Sequence, residues 1–217
     1  GWESENTIVQ IVIKDLPFLV DSVRMALNRL NITSHLLLHT PVKVNRDANG
    51  KATEIVNLKD ENKATHQQTV FLIEVDRQPE STQLKALSKE LASVLADVSV
   101  AVEDWKPIEK KLAACIKEAK GAKVKNKDNM KHSLEFLNWI ADHNFTLMGY
   151  REYTVSAVEG DTAITGKDET SLGLMKNRES TQRFLSALSD SARAEAMSDN
   201  ILVLTKTGSK SRVHRPA

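Results

Sequence analysis

The chain has 217 residues, of which 41% are hydrophobic, and its 30 lysines and arginines nearly balance its 29 aspartates and glutamates. This length suffices for one large domain or two small ones with hydrophobic cores. The balanced charge gives no overall field that would attract nucleic acid or anionic lipid. No apolar run is long enough to span a bilayer, and the opening GWESENT is not a signal-peptide pattern. We therefore expect a soluble protein that binds neither nucleic acid nor membranes.

The single cysteine, Cys115, lies on a predicted helix in EKKLAACIKEA. One cysteine cannot form a disulfide framework within the chain, so a reducing cytoplasm is the expected compartment. We interpret Cys115 as a small buried hydrophobe rather than as a reactive thiol.

The chain opens with a predicted strand followed at once by a predicted helix. Residues 8–13, IVQIVI, are almost continuously apolar and β-branched, which indicates a central strand covered on both faces. Asp15 and Pro17 then interrupt the strand, and proline is well tolerated at the first position of a helix. The helix that follows is indicated by apolar residues at helical spacing, namely Leu19, Val23, Leu27 and Leu30.

Further strands and a second helix are predicted before residue 103. Apolar and polar positions alternate in SHLLLHTPVKVN, which predicts a half-buried strand, and NRDANGK ends it with a turn. A short strand around residues 55–58 is left open, and TVFLIEV (69–75) is another strand. Helix two is indicated by Leu84, Leu87, Leu91, Val94 and Leu95. A last strand is expected from the alternation of Val98, Val100 and Val102 with more polar residues.

The order strand, helix, strand, strand, helix, strand is that of an α+β, ferredoxin-like βαββαβ domain. Both helices are expected on one face of an antiparallel sheet, which leaves the other face open. A sheet exposed in this way often pairs with a second copy, within the chain or across a dimer. Assembly is therefore expected from the fold alone.

The second half begins near Trp105, with Pro107 opening a helix. A lysine-rich stretch, KEAKGAKVKNKDNMKH, predicts a linker or a helix–helix turn, and Asp128 is expected to cap the next helix. After it come a strand, FTLMGYREYTV, a loop over 156–170, a helix over 178–197 and a buried strand, ILVLTK (201–206).

A core strand followed only by a short basic tail, SKSRVHRPA, is not how a domain usually ends, so we expect a longer polypeptide. The predicted domains are residues 1–106, a helical linker over 107–143, and a second α+β domain over 144–217 that is truncated at its C-terminus.

No motif in the sequence predicts catalysis or metal binding. His35 and His39 of HLLLH lie on a predicted strand, where four steps of roughly 3.3 Å place them too far apart to share one ion. Neither G-x-G-x-x-G after a strand nor a G-x-x-x-x-G-K-[ST] loop occurs, and no Ser, His and acid grouping is recognisable. We assign no catalytic residue and no metal ligand.

The first strand-to-helix turn is the best binding candidate. The amide N–H groups of Phe18, Leu19 and Val20 would receive a carboxylate, while Asp15 would receive an ammonium group, as an amino acid requires. The candidate effector site is Asp15, Leu16, Pro17, Phe18 and Leu19. In the alternative, Asp15 caps the helix and Phe18 packs in the core.

Four stretches carry a family resemblance, and they occur in order over nearly the whole chain: TIVQIVIKDLPFLVDSVRMALNRLNITSHLLLHTPVKVNRDANGK, LNWIADHNFTLMGYREY, SLGLMKNRES and ILVLTKTGSKSRVHRP. They resemble the N-terminal region of the large bacterial NAD-dependent glutamate dehydrogenases. That region consists of ACT-like domains, so the resemblance implies an ACT-like first domain and an incomplete ACT-like second one.

The resemblance also implies the activity of the parent enzyme, a cytoplasmic oxidoreductase of amino acid metabolism that deaminates L-glutamate to 2-oxoglutarate and ammonia with NAD. In that family the glutamate and dinucleotide sites lie well downstream, so this chain alone is expected to be non-catalytic and to bind no cofactor. The implied partners are the rest of the same polypeptide, further copies in a homo-oligomer and an amino-acid effector.

One departure from the family pattern concerns the first turn. Ligand-binding ACT domains commonly carry D-x-P-G there, whereas this chain reads Asp15-Leu16-Pro17-Phe18. Glycine would let a ligand approach the backbone, and phenylalanine does not. The main hypothesis is therefore a regulatory and oligomerisation segment, and the alternative is an amino-acid sensor that binds its effector at this turn.

Overall fold

The computed structural model describes residues 3–57, 59, 66–198, 200–204 and 212–213. The chain forms two compact units, one made of residues 1–99 together with 210–217 and the other of Val100–Ser209. The predicted domain limits at residues 106 and 143 stay predictions.

The first unit is an antiparallel sheet with two helices. Its elements are β1 (Thr7–Lys14), α1 (Leu19–Arg29), β2 (Ser34–Arg46), β3 (Ala52–Val56), β4 (His66–Val75) and α2 (Ser81–Glu103). The strands lie in the order β1-β4-β2-β3, and every neighbouring pair is antiparallel. The predicted α+β class is confirmed, and the strand left open near residue 55 is β3.

Both helices of this unit lie on the same face of the sheet, as predicted. Arg29 of α1 and Glu90 of α2 form an ion pair with 2.7 Å between Nη2 and Oε1, so the two helices are neighbours. The core beneath them contains the buried residues Leu19, Val23, Ala26 and Leu27 of α1, Leu87, Leu91, Val94 and Val98 of α2, and Phe71, Ile73 and Val75 of β4.

The opposite face of the sheet is apolar and open. Val12 lies opposite Val70, and Leu38 opposite Leu72, so these side chains point to one face. Val12 is 60% exposed and Leu38 is 53% exposed. The prediction that the first strand is central and covered on both faces is therefore wrong, because β1 is an edge strand of the described sheet.

The strand predicted over residues 98–102 is helical. Val98 and Ala101 are both buried, and with Val94 they continue the three- and four-residue spacing of α2. These valines alternate with other residues, as in a strand, and they also continue the three- and four-residue spacing of a helix. Both the strand period and the helix period therefore fit this part of the sequence. The helix continues because no glycine or proline interrupts it between Ser81 and Glu103.

The second unit consists of helices followed by a small sheet. Its elements after α2 are α3 (Trp105–Gly121), α4 (Lys127–Trp139), a π-turn (Ile140–Asn144), β5 (Gly149–Val158), β6 (Asp161–Gly173), β7 (Arg183–Phe184), a 3-10 turn (Leu185–Ala187) and α5 (Asp190–Ala196). The order in the sheet is β5-β6-β7, all antiparallel. The α+β class is again confirmed, and the ACT-like assignment of residues 144–217 stays a prediction.

Three predictions in this half are wrong. The expected loop over 156–170 is a hairpin, because Glu159 and Gly160 both take positive φ, 50° and 85°, and allow a two-residue turn. The helix predicted over 178–197 is confined to Asp190–Ala196. The described part of ILVLTK, residues 201–204, forms no strand, and residues 205–206 lie outside the described residues.

Two local predictions about the helices also need correction. Asn126 caps α4, accepting a hydrogen bond of 3.0 Å from the Asn129 N–H, so Asp128 is not the cap. Cys115 is exposed on α3 rather than buried. The lysine-rich stretch does contain the expected helix–helix turn, between Gly121 and Lys127.

Candidate functional site

The turn between β1 and α1 has an unusual backbone. Phe18 is the N-cap residue of α1 and takes the left-handed conformation, with φ 70° and ψ 0°. The Phe18 side chain makes no capping hydrogen bond, and the Phe18 carbonyl accepts a hydrogen bond of 3.0 Å from the Ser22 N–H. The left-handed region is rare for a bulky residue, and glycine adopts it freely. The position where the ACT pattern has glycine therefore has glycine-like geometry with a phenylalanine in it.

Asp15 fixes this turn to the neighbouring strand. Its carboxylate accepts a hydrogen bond of 2.8 Å from Gln67 Nε2 and another from the Thr69 hydroxyl. Its backbone N–H donates to the Gln67 carbonyl over 3.2 Å. The alternative in which Asp15 caps α1 is thus wrong. A carboxylate has about four acceptor positions, so Asp15 still has capacity for a ligand.

A hollow of about 160 Å³ lies at this turn. It is lined by Asp15, Leu16, Phe18, Leu19, Val20, Asp21, His39, Thr69 and Phe71. Its volume equals that of roughly five water molecules, which limits any occupant to a small metabolite.

The structure brings together four of the five residues predicted for this site, and Pro17 is exposed and does not line the hollow. Sequence reasoning missed Asp21 on α1, and it also missed His39, Thr69 and Phe71, which come from β2 and β4. The His39 and Phe71 rings stack with 5.7 Å between centroids. Only the strand register could have found these residues, since it places His39 opposite Phe71.

The charges around the hollow favour a cationic group over an anionic one. Among the described residues of the lining, Asp15 and Asp21 are the acids, His39 is the imidazole, and there is no lysine or arginine. A bound carboxylate would depend on the first amide groups of α1 and on the helix dipole. An amino acid would therefore need Asp15 for its ammonium group and the first amides of α1 for its carboxylate.

Other chemistries find little support in the described part of the chain. No group of three or more His, Cys, Asp or Glu side chains there could hold a metal ion. No described helix is long and apolar enough to cross a membrane. Both described sheets are antiparallel, and Phe18 occupies the β1–α1 turn, so these residues do not fit a dinucleotide, which needs a glycine-rich turn after a parallel strand.

Comparison with known proteins shows what the chain is similar to. Residues 1–91 match the family model described as glutamate dehydrogenase, ACT1 domain. Over its whole length the chain is similar to NAD-specific glutamate dehydrogenases, with 36% identity to that of Pseudomonas aeruginosa and 28% to that of Halomonas elongata. The chain spans 14% of the length of each of these relatives.

Proposed function

We propose that this chain is the N-terminal regulatory and oligomerisation segment of a NAD-dependent glutamate dehydrogenase. The full-length enzyme would deaminate L-glutamate oxidatively to 2-oxoglutarate and ammonia, with NAD as the hydride acceptor. Two relatives named NAD-specific glutamate dehydrogenase align with the whole chain, and residues 1–91 match the ACT1 family model. On this proposal the glutamate and NAD sites lie in the remaining part of the polypeptide, and the enzyme works in the cytoplasm.

The open apolar face of the first sheet is the observation that carries the assembly role. Val12, Leu36 and Leu38 are 60%, 42% and 53% exposed on β1 and β2. Contiguous apolar surface of this kind marks an interaction site, because water would otherwise contact it in the folded protein. A second copy is the partner we assign, since a two-fold pairing covers the same apolar face on both subunits at once.

Sedimentation of the chain tests the assembly role. We expect a dimer or larger species, and Val12→Lys should weaken its association at least tenfold. Val155→Lys is the matched control, because Val155 is also an exposed valine of a strand, 68% accessible, but belongs to the second unit. A chain that is monomeric at all concentrations, or equal effects of the two variants, would contradict the proposal.

An amino-acid sensor is the second candidate function. The N-terminus of α1 and the acid-lined hollow beside Asp15 favour it. Calorimetric titration with the common amino acids should then give heat at micromolar or millimolar ligand, and Asp15→Asn should abolish it. Phe18→Gly should raise the affinity, because it enlarges the hollow without changing the backbone. If no amino acid gives binding heat, the sensor function is ruled out and the assembly role is the remaining proposal.

The non-catalytic character of the chain has its own assay. Incubation of the chain with L-glutamate and NAD should produce no NADH above the rate of a protein-free control. Production of NADH would place a complete catalytic site within these residues and overturn this part of the proposal.

A further inference from the structure

Arg212 and Val213, which lie far along the sequence, contact the two helices α1 and α2 of the first unit. The Arg212 guanidinium contacts one side of α2, with Nη2 3.1 Å from Ser93 Oγ, Nη1 3.2 Å from Asp97 Oδ2 and Nη2 3.4 Å from Glu90 Oε2. These three partners recur at three and four residues along α2, so they form one stripe of the helix.

Val213 makes the contact with α1. Its side chain is 0% exposed, and its carbonyl accepts a hydrogen bond from the Ser22 hydroxyl. Ser22 is itself fully buried. A buried hydroxyl without a partner costs free energy, so the Val213 carbonyl satisfies a group that α1 presents at this place. The dipeptide therefore contacts both helices.

The electrostatics of the stripe suit an arginine in particular. Burial alone would raise the pKa of Glu90, but the hydrogen bond from Arg29 and the charge of Arg212 outweigh burial and lower that pKa. Arg29 and Arg212 thus share Glu90, and among the described residues Arg212 is the cation that forms an ion pair with Asp97. The planar fork of arginine can contact two acids at once, which the single ammonium of lysine does less well.

Chain proximity does not explain these contacts. The residues that meet are separated by 122 positions for Arg212 and Glu90 and by 191 for Val213 and Ser22. Closing a loop of this length costs conformational entropy, so specific interactions must offset it. The matched family model covers residues 1–91 only and does not include this dipeptide.

We propose that the α1–α2 face of the first unit is a docking site for an arginine–valine segment, occupied in cis by Arg212 and Val213. The two carboxylates of α2 recognise the guanidinium, and a pocket at Ser22 receives the valine and its carbonyl. Docking returns the chain to the first unit after the whole second unit. This site is independent of the regulatory role proposed above.

A peptide-binding experiment on the full chain tests the site. The variant Arg212→Glu/Val213→Asp keeps the tail but removes both contacts, which leaves the site free. A fluorescent peptide of residues 207–217 should bind this variant at least tenfold more tightly than it binds the unaltered chain, whose own segment competes. The same peptide with Arg212→Glu should bind at least tenfold more weakly. Equal binding of the peptide to both chains, or no effect of its charge, would overturn the proposal.

Two further measurements guard against misfolding and against docking between copies. Arg212→Glu alone changes a part-exposed side chain and should lower the protection of α1 and α2 from hydrogen exchange. Adding Asp97→Arg to this variant should restore that protection. Arg24→Glu is the matched control, because Arg24 is an exposed arginine of α1, and it should leave that exchange unchanged. Loss of protection that Asp97→Arg fails to restore would count against the ion pair. Sedimentation of Arg212→Glu should match that of the unaltered chain, whereas loss of an oligomer would overturn occupation in cis.

Discussion

The two units of this chain are stabilised in different ways. The first has an apolar core under two helices and leaves an apolar sheet face open. The second contains buried charged groups that bond to its own backbone. Asp104 accepts hydrogen bonds of 2.6 Å from the Gly173 N–H and 2.9 Å from Lys176 Nζ. Arg151, only 5% exposed, donates to the carbonyls of Met175 and Arg178 and to the Ser171 hydroxyl.

Because of this difference, we expect the two units to respond differently to substitutions. Single polar changes in the second unit remove partners from buried groups, which is costly. Changes on the open face of the first unit should remove little from the isolated chain and, on the proposed assembly role, should act on association instead. Substitutions in the two units should therefore differ in size and in the property that they affect.

Gly173→Ala should have the largest effect on stability. Gly173 has φ 56°, and a Cβ there would overlap the Met148 carbonyl oxygen. We expect a loss of about 3 kcal/mol in the free energy of unfolding, measured by urea denaturation. Gly121→Ala is the control, because a Cβ at Gly121 has nothing within 4 Å and the residue ends a helix. A similar response of the two variants would contradict this view of the second unit.

Asp104→Asn should come next, with a loss of about 1–3 kcal/mol, because Lys176 loses its charged partner. Burial alone would raise the pKa of Asp104, but the hydrogen bonds from Lys176 and Gly173 outweigh it and lower that pKa. A carboxyl with a lowered folded-state pKa stabilises fully above its unfolded value, about 3.9, and this stabilisation disappears as the pH falls through the folded-state pKa.

The pH dependence provides the control for this prediction. Thermal unfolding followed from pH 6 downward should lose less stability below about pH 4 in Asp104→Asn than in the unaltered chain. Parallel curves for the two proteins would mean that the Asp104 carboxylate contributes nothing specific.

Phe18 provides a smaller effect in the first unit. Because Phe18 has φ 70°, Phe18→Gly should be more stable than Phe18→Ala by about 1 kcal/mol, the reverse of the usual order within a helix. Both variants remove the same ring, so the comparison isolates the backbone. Chemical denaturation of the pair measures it, and an alanine variant as stable as the glycine variant would rule out strain at this turn.

Leu38→Lys should have the smallest effect on unfolding, within about 0.5 kcal/mol, since Leu38 is mostly exposed. Its association should weaken as that of Val12→Lys does. Unfolding measured at a concentration where the chain is monomeric separates these two properties. A large loss of stability in the monomer would mean that Leu38 belongs to the core of the first unit.

Much of the first unit could be predicted from sequence because its signals are local. Val23 and Leu27 recur at helical spacing, TVFLIEV is a short apolar run of strand length, and the structure confirms both elements as α1 and β4. The pattern of Val98–Val102 fits both the strand period and the helix period, and in the structure these residues continue α2. The apolar run of β1 predicted a central strand covered on both faces, but β1 is an edge strand of the described sheet and its Val12 is 60% exposed.

Only those residues of the candidate site that lie together in the sequence, at the β1–α1 turn, could be predicted. Asp15 and Phe18 follow a strand and precede a helix, which is visible in the sequence. His39 and Thr69 reach the same hollow through the pairing of β2 with β4, and that register depends on tertiary structure. Likewise, no pattern in VHRP indicates that Val213 packs against Ser22 nearly two hundred residues earlier.

The return of Val213 to Ser22 has a consequence for biosynthesis. A ribosome translates α1 and α2 first and then the remainder of the second unit, up to Ser209, before it reaches the dipeptide that contacts both helices. The second unit has time to fold while the first still lacks its final contacts. The surface of α1 and α2 would thus be completed only after the whole second unit has been synthesised.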